Sequence, residues 1–296
     1  HGSKAMMKRF SFSRQAAALA AVMLLIAGCS QGVQIDPAPQ EQLALALRKA
    51  GGGQKSTAHA AVSTGTGWGT LKGVFKFAGG PPAGSFMSTA GKDTAVCGMQ
   101  IPMQSLEVDS STKGIANVII FARKVPRVFD AYKKAAGQKR EFDQKKCMFL
   151  SHVFGCQTKD TLVIKNSDPV SHNTNLSPQG NPGINPVLLQ NAEMDYKFAK
   201  QLTLPTEVTC NIHPWMKAYI LARDDPYFAI TGKDGSFEIA NLPAGDEIEF
   251  QVWHESAPGG GLEARSDWSK GRFRLKLADG KTEDLKTIEV PASAFR

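Results

Sequence analysis

Three residues in the later part of the chain have types and spacing that suit a metal site. Cys210, His213 and Met216 form a Cys-x2-His-x2-Met pattern. A thiolate and two imidazoles in one plane, with a weak axial thioether, are the ligand set of an electron-transfer copper site. His172, 38 residues before Cys210, is the candidate second imidazole. The spacing therefore predicts a mononuclear copper site.

Zinc is the competing metal for these residues. A tetrahedral zinc site can use one cysteine and two histidines, and a Cys-x2-His pair is also common in purely structural settings. Met216 argues against zinc, because the thioether is a soft ligand that suits copper.

The segment before His172 supports copper. Residues 160–168 read Asp-Thr-Leu-Val-Ile-Lys-Asn-Ser-Asp, and His172-Asn173 follows. This segment resembles the cupredoxin strand that carries the first histidine ligand, and the short ligand loop is similar to that of the amicyanins. The resemblance implies one type 1 (blue) copper per chain, held by His172, Cys210, His213 and Met216. It departs from the family at Lys159, where a glycine is usual.

The same resemblance assigns roles to several neighbours. Asn173 is expected to hydrogen-bond across to the cysteine loop, and such bonds hold ligand loops in place. Electrons are expected to leave through His213 and the apolar surface around Pro214 and Trp215. His152 is a candidate additional ligand or ligand-supporting residue, with an ordinary buried strand residue as the alternative.

The first 29 residues read as a lipoprotein leader. Basic residues precede an apolar run that ends in Ile-Ala-Gly-Cys29, which resembles the bacterial lipobox, and residues 1–6 read as a tag or an extended start. We expect Cys29 to be lipidated, which places the protein in the periplasm or at the cell surface. Ser30 favours the outer membrane. Residues 30–67, rich in Gln, Ala, Gly and Ser, are expected to form a flexible tether.

From residue 68 onward the pattern is that of an all-β protein, with short apolar runs separated by turn residues. Residues 231–245 resemble the carboxypeptidase-regulatory-like, transthyretin-type β-sandwich. We expect residues 68–141 and 226–296 to form this sandwich and residues 142–225 to be a cupredoxin Greek-key domain inserted into it. Two sandwiches in series are the alternative. The Asp-Gly turns at 234–235 and 279–280 each predict a hairpin.

The chain has five cysteines. With Cys29 assigned to lipid and Cys210 to copper, three remain, and three thiols cannot all pair. We favour a Cys97–Cys147 disulfide among the three pairings and expect Cys156 to be a buried strand residue.

Composition excludes some functions. The net charge of +8 includes four positive charges in the leader, and the other basic residues are scattered, so nucleic-acid binding is not expected. There is no Cys-x-x-Cys-His haem motif, and no His-x-His or His-Cys-His pattern of a multicopper enzyme. We therefore predict no enzymatic activity.

His254 is a further candidate for a separate metal site.

The preferred function is electron transfer by a lipid-anchored monomer, with a c-type cytochrome or a periplasmic oxidoreductase as the redox partner. Copper storage or delivery is an alternative, although the sequence has no run of Met or Cys residues to serve as Cu(I) ligands. A non-redox sandwich that binds a ligand is the third hypothesis.

Overall fold

The computed structural model describes residues 67–295 of the chain. The leader with Cys29, and the tether up to residue 66, lie outside the described residues, and the predictions for them stay predictions. Within residues 67–295, no helix is long and apolar enough to cross a membrane.

The described chain consists of short strands with very little helix, which confirms the all-β prediction. Its first part contains β1 (Trp68–Phe77), β2 (Phe86–Ser88), α1 (Thr94–Cys97), β3 (Gln100–Pro102), β4 (Ile119–Ala122) and α2 (Asp130–Ala135). The middle part contains β5 (Lys139–Lys145), β6 (Met148–Phe149), β7 (Val153–Gln157), β8 (Thr161–Asn166), β9 (His172–Asn173), β10 (Asn175–Leu176), β11 (Val187–Leu188), β12 (Glu193–Tyr196), β13 (Thr206–Thr209) and β14 (Lys217–Arg223). The last part contains β15 (Phe228–Ile230), β16 (Ser236–Pro243), β17 (Glu247–Trp253), β18 (Arg272–Lys276) and β19 (Thr282–Val290), with 3-10 helices at Pro258–Gly260 and Ala292–Ala294.

Strands from the two ends of the described chain form one sandwich, here called the flanking sandwich. Its sheets have the orders β16-β1-β19 and β15-β4-β17-β18. Side chains such as Leu71, Phe75, Ile120 and Val252 fill the core between them. Within residues 67–295, the strands that pair with β1 are β16 and β19, which both lie beyond residue 235.

The middle strands form the inserted sandwich. Its two four-stranded sheets have the orders β10-β13-β14-β7 and β12-β8-β5-β6, and β9 pairs with β11 beside them. Phe142, Phe154, Ile164 and Ile220 are buried in its core. β8 leads directly to the segment that contains His172, and the β13–β14 loop contains the other three predicted ligands.

The predicted boundary between the sandwiches at residues 141/142 was placed too late. β5 begins at Lys139 and pairs in parallel with β8 from Lys139 opposite Thr161 to Gln144 opposite Asn166. β5 carries charged side chains at most positions and buries only Phe142 and Gln144 fully. Its polarity hid it, because a strand can face water on one side of its sheet while the other side packs on the core.

Both predicted hairpins were wrong. β15 pairs with β4 and β16 pairs with β1, so the turn at 234–235 crosses from one sheet to the other. β18 pairs with β17 and β19 pairs with β1, so the turn at 279–280 also joins two sheets. An Asp-Gly turn reverses the chain locally, and the packing of distant strands decides which sheet the next strand joins.

The two sandwiches share β4, which is buried on both faces. Ile120 and Ala122 belong to the core of the flanking sandwich, and Ile119 and Phe121 to that of the inserted one. A strand with two buried faces reads as a continuous apolar run, which is the pattern seen at residues 118–122. The contact is close: a Cβ on Gly155 would lie 2.4 Å from the ring of Phe228.

Candidate metal centre

The four predicted ligands lie at one end of the inserted sandwich. His172 begins β9, Cys210 follows β13, and His213 and Met216 lie in the loop before β14. All four side chains are buried, with at most 1% of their surface exposed.

Backbone hydrogen bonds fold the β13–β14 loop around the sulfur of Cys210. The Cys210 amide donates to the Met216 carbonyl at 3.2 Å, and the Met216 amide donates to the His213 carbonyl at 2.9 Å. The amides of His213 and Asn173 point at Cys210 Sγ, at 3.3 and 3.4 Å. These contacts fix the sulfur and favour its thiolate form.

The ligand atoms of three residues converge. His172 Nδ1 and His213 Nδ1 are 2.9 Å apart, and one nitrogen from each ring lies within 4.8 Å of Cys210 Sγ and of the other. Met216 is buried in the same core, and its backbone bonds to those of Cys210 and His213. Two imidazole nitrogens and a thiolate that face one point, with a thioether in the same loop, fit a blue copper ion.

Charges within the cluster shift its protonation. Burial opposes protonation of His172, but hydrogen bonds to Asp168 and Cys210 outweigh it and raise the pKa of His172 to about 9. Burial also opposes ionisation of Cys210, yet the hydrogen bond with His172 and nearby backbone amides keep the pKa of that thiol below its usual value. Burial lowers the pKa of His213 despite Asp93. Cys210 and His172 share a proton in their hydrogen bond. A metal ion bound by these residues would displace that proton, as metal binding to such ligands generally does.

A carboxylate fixes the orientation of each imidazole. Asp168 Oδ2 lies 2.7 Å from His172 Nε2, and the backbone amides of Lys146 and Cys147 hold that carboxylate in turn. Asp93 Oδ2 lies 2.8 Å from His213 Nε2. With both Nε2 atoms bound to carboxylates, both Nδ1 atoms are directed to the metal position, and such carboxylates also make the ligands more basic.

Asn173 ties the two ligand segments together. Its Oδ1 accepts hydrogen bonds from the amides of Asn211 at 2.7 Å and Ile212 at 3.0 Å, and its Nδ2 donates to Asn211 Oδ1 at 3.0 Å. These are the cross-loop bonds that the cupredoxin resemblance implies.

A segment that the sequence gave no reason to place here covers His213. Residues 85–103, here called the strap, form the β2–β3 hairpin with α1 between its strands. The strap places Asp93 on His213, and Lys92 Nζ donates to the Ile212 carbonyl at 2.6 Å. A disulfide joins Cys97 to Cys147, the pairing that we favoured.

The strap changes the expected electron exit. His213 is fully buried, so it does not reach the surface as the resemblance implied. Pro214 is exposed and Trp215 is half-buried. The Trp215 ring packs 5.1 Å from that of His213, and its Nε1 donates to the Cys147 carbonyl at 3.1 Å. Trp215 thus contacts both the ring of His213 and the backbone of Cys147.

His152 does not join the cluster. Its Nδ1 lies 3.1 Å from the Lys217 carbonyl, and its Nε2 contacts the Glu255 carboxylate of the flanking sandwich. Both ring nitrogens are therefore engaged, and the suggestion that His152 is an additional ligand is not supported. His152 instead joins the two sandwiches, because Lys217 Nζ lies 2.7 Å from the same carboxylate.

The other candidates also have ordinary roles. His254 accepts a hydrogen bond from the Ser256 amide, and burial lowers the pKa of His254 to about 4. It belongs to none of the metal-capable clusters among residues 67–295. Cys156 is a free, buried thiol on β7, and burial raises its pKa.

Methionines distant in sequence line one cavity beside the metal centre. Met87 and Met103 come from the strap, Met148 from β6 and Met216 from the ligand loop. Folding therefore brings together methionines that are far apart in the sequence.

Comparisons with known proteins identify no family. No family model and no curated protein matches the chain. The structure is similar to that of an amicyanin mutant in its reduced Cu(I) form at pH 4, with 16% identity, a TM-score of 0.26, and coverage of 28% of this chain and 80% of that one. A second Cu(I) amicyanin mutant has 15% identity and a TM-score of 0.27, over 36% of this chain and 99% of that one. A copper-containing nitrite reductase from Thermus scotoductus SA-01 has 20% identity and a TM-score of 0.26, over 28% of this chain and 21% of that one. TM-scores this low establish neither family nor function.

Proposed function

We propose that the protein is a blue copper electron carrier of the cupredoxin type. The observation that carries this proposal is the convergence of His172 Nδ1, His213 Nδ1 and Cys210 Sγ within 4.8 Å at the end of a β-sandwich. The buried Met216 in the same loop completes the soft ligand set that distinguishes copper from zinc.

Bound copper would supply one-electron redox chemistry. The chain's own residues keep the ligands still while the oxidation state changes. Asp168 and Asp93 hold the two imidazoles, and Asn173 holds the cysteine loop against β9. Burial of all four ligands excludes water, and a site that does not rearrange is suited to transferring electrons without binding a substrate.

The cellular setting belongs to the same proposal. A lipid on Cys29 would tether the protein to a bacterial membrane, facing the periplasm or the cell surface. The redox partner would be a c-type cytochrome or a periplasmic oxidoreductase that docks briefly near exposed Pro214, since electron-transfer interfaces are small. No enzymatic step is assigned to the chain.

Redox cycling tests this function directly. The copper-loaded full chain should be reduced by one electron per copper and re-oxidised reversibly by a c-type cytochrome, with no turnover of oxygen or nitrite. The matched control is His172→Ala, which removes one ligand and should abolish the exchange. Steady consumption of oxygen or nitrite would replace the carrier proposal with an enzyme, and copper that cannot be reduced would refute it.

A further inference from the structure

Four of the methionines in residues 67–295 line one cavity of about 210 Å³. Met148 and Met216 are buried, while Met87 is partly exposed and Met103 is 39% exposed. The cavity is thus open to solvent on the strap side and adjoins the proposed copper centre at Met216.

Core packing does not account for the strap methionines. Buried methionines commonly fill gaps in a core, which suits Met148. Met87 and Met103 instead expose apolar side chains to water on a short hairpin. Met103 Sδ accepts a hydrogen bond from Ser85 Oγ at 3.3 Å.

The lining chemistry selects a soft, singly charged cation. Among residues 67–295, no Asp or Glu lines the cavity. Lys217 and His152 do, but both are engaged with Glu255, and His152 Nδ1 also contacts the Lys217 carbonyl. Mg²⁺, Ca²⁺ and Zn²⁺ prefer carboxylate, imidazole or thiolate ligands, whereas neutral thioethers favour Cu(I).

We propose that this cavity is a second copper site, which binds Cu(I) through the thioethers of Met87, Met103 and Met148. It is separate from the centre formed by His172, Cys210 and His213, although Met216 forms part of its wall. Its position makes it an entry point for copper, since an ion held there lies next to a ligand of the buried centre. Transfer between the two sites exchanges ligands and involves no change of oxidation state.

Cu(I) titration of the full chain with Cys210→Ser and His172→Ala tests the proposal, because this background removes two ligands of the buried centre. A chromophoric Cu(I) chelator serves as competitor. We expect Cu(I) binding in this background, and its loss when Met87→Leu and Met103→Leu are added. Leucine conserves side-chain volume, so these changes should leave the fold intact. Met194→Leu, on β12 outside the cavity, is the matched control and should bind as the background does.

Two further readouts separate the sites. Excess Zn²⁺ should not displace the Cu(I), and X-ray absorption of the Cu(I)-loaded Cys210→Ser/His172→Ala chain should show sulfur ligands. Cu(I) binding that persists with both leucines, or that uses nitrogen ligands only, would overturn the second site. With Cys210 intact, the Met87→Leu/Met103→Leu chain should still form the visible copper chromophore, so the failure of either proposal is recognised independently.

Discussion

Asp93 and His213 are 120 residues apart in the chain, and Asp93 Oδ2 lies 2.8 Å from His213 Nε2. The contact depends on the strap, which the Cys97–Cys147 disulfide links to the inserted sandwich. The strap covers His213, the ligand through which the cupredoxin resemblance implied that electrons leave. The ligand set and its protein cover are therefore built from distant parts of the chain.

Replacing Asp93 with asparagine should raise the reduction potential of bound copper. The carboxylate increases the basicity of the His213 imidazole and stabilises the more highly charged oxidised ion, whereas a neutral amide does so less. A redox titration of the copper-loaded chain measures the change. Asp195→Asn, which removes an exposed carboxylate paired with Lys139, is the control and should have little effect. A lower or unchanged potential in Asp93→Asn would show that the carboxylate does not act on the metal.

Asn173→Ala should weaken copper binding by about 10–100-fold, the usual cost of removing a residue that orients metal ligands. The substitution leaves all four ligands in place but removes the bonds from Asn173 to the amides of Asn211 and Ile212. Competition with a copper chelator measures the affinity. Asn175→Ala, two residues further along, serves as the control, and equal losses in both variants would mean that Asn173 has no particular role.

Removal of the disulfide should lower the free energy of unfolding by about 2–4 kcal/mol. The bond closes a segment of 50 residues, and loss of that constraint increases the entropy of the unfolded chain. Urea unfolding of metal-free Cys97→Ser/Cys147→Ser measures the effect. A thiol reductant should destabilise the native chain by a similar amount and leave the variant unchanged. If the reductant affected both equally, the stabilisation would have another source.

His254 should make the fold sensitive to mild acid. Its folded pKa of about 4 lies below the ordinary 6.5, so the unfolded chain takes up a proton that the folded chain does not. Its contribution is complete above about pH 6.5 and is lost as the pH falls toward 4, by at most about 3 kcal/mol. Chemical unfolding between pH 7 and 4 should therefore show a smaller loss of stability in His254→Gln than in the native chain. Parallel curves for the two chains would rule out this contribution.

The ligands could be predicted because they are local in sequence. Cys210, His213 and Met216 lie in one seven-residue loop, and His172 follows a strand with a recognisable pattern. The insertion could also be inferred, since the segments that resemble a transthyretin-type sandwich lie on both sides of the segments that contain the ligands.

Contacts made by the strap could not be predicted in the same way. Residues 85–103 contain mostly loop-forming and small residues, and nothing near Asp93 indicates that it meets a histidine 120 residues away. The methionine cavity has the same origin, because Met87, Met103 and Met148 become neighbours only when the strap lies on the inserted sandwich. The choice of sheet after each Asp-Gly turn was likewise decided by packing between distant strands.

The visible absorption spectrum of the copper-loaded chain tests the central claim most directly. A thiolate from Cys210 bound to Cu(II) should give an intense charge-transfer band and a blue colour, which Cys210→Ser should abolish. Cys156→Ala, which removes the other free thiol among residues 67–295, should retain it. A colourless native protein that binds Cu(II) or prefers Zn²⁺, or a band that survives Cys210→Ser, would contradict the blue copper centre.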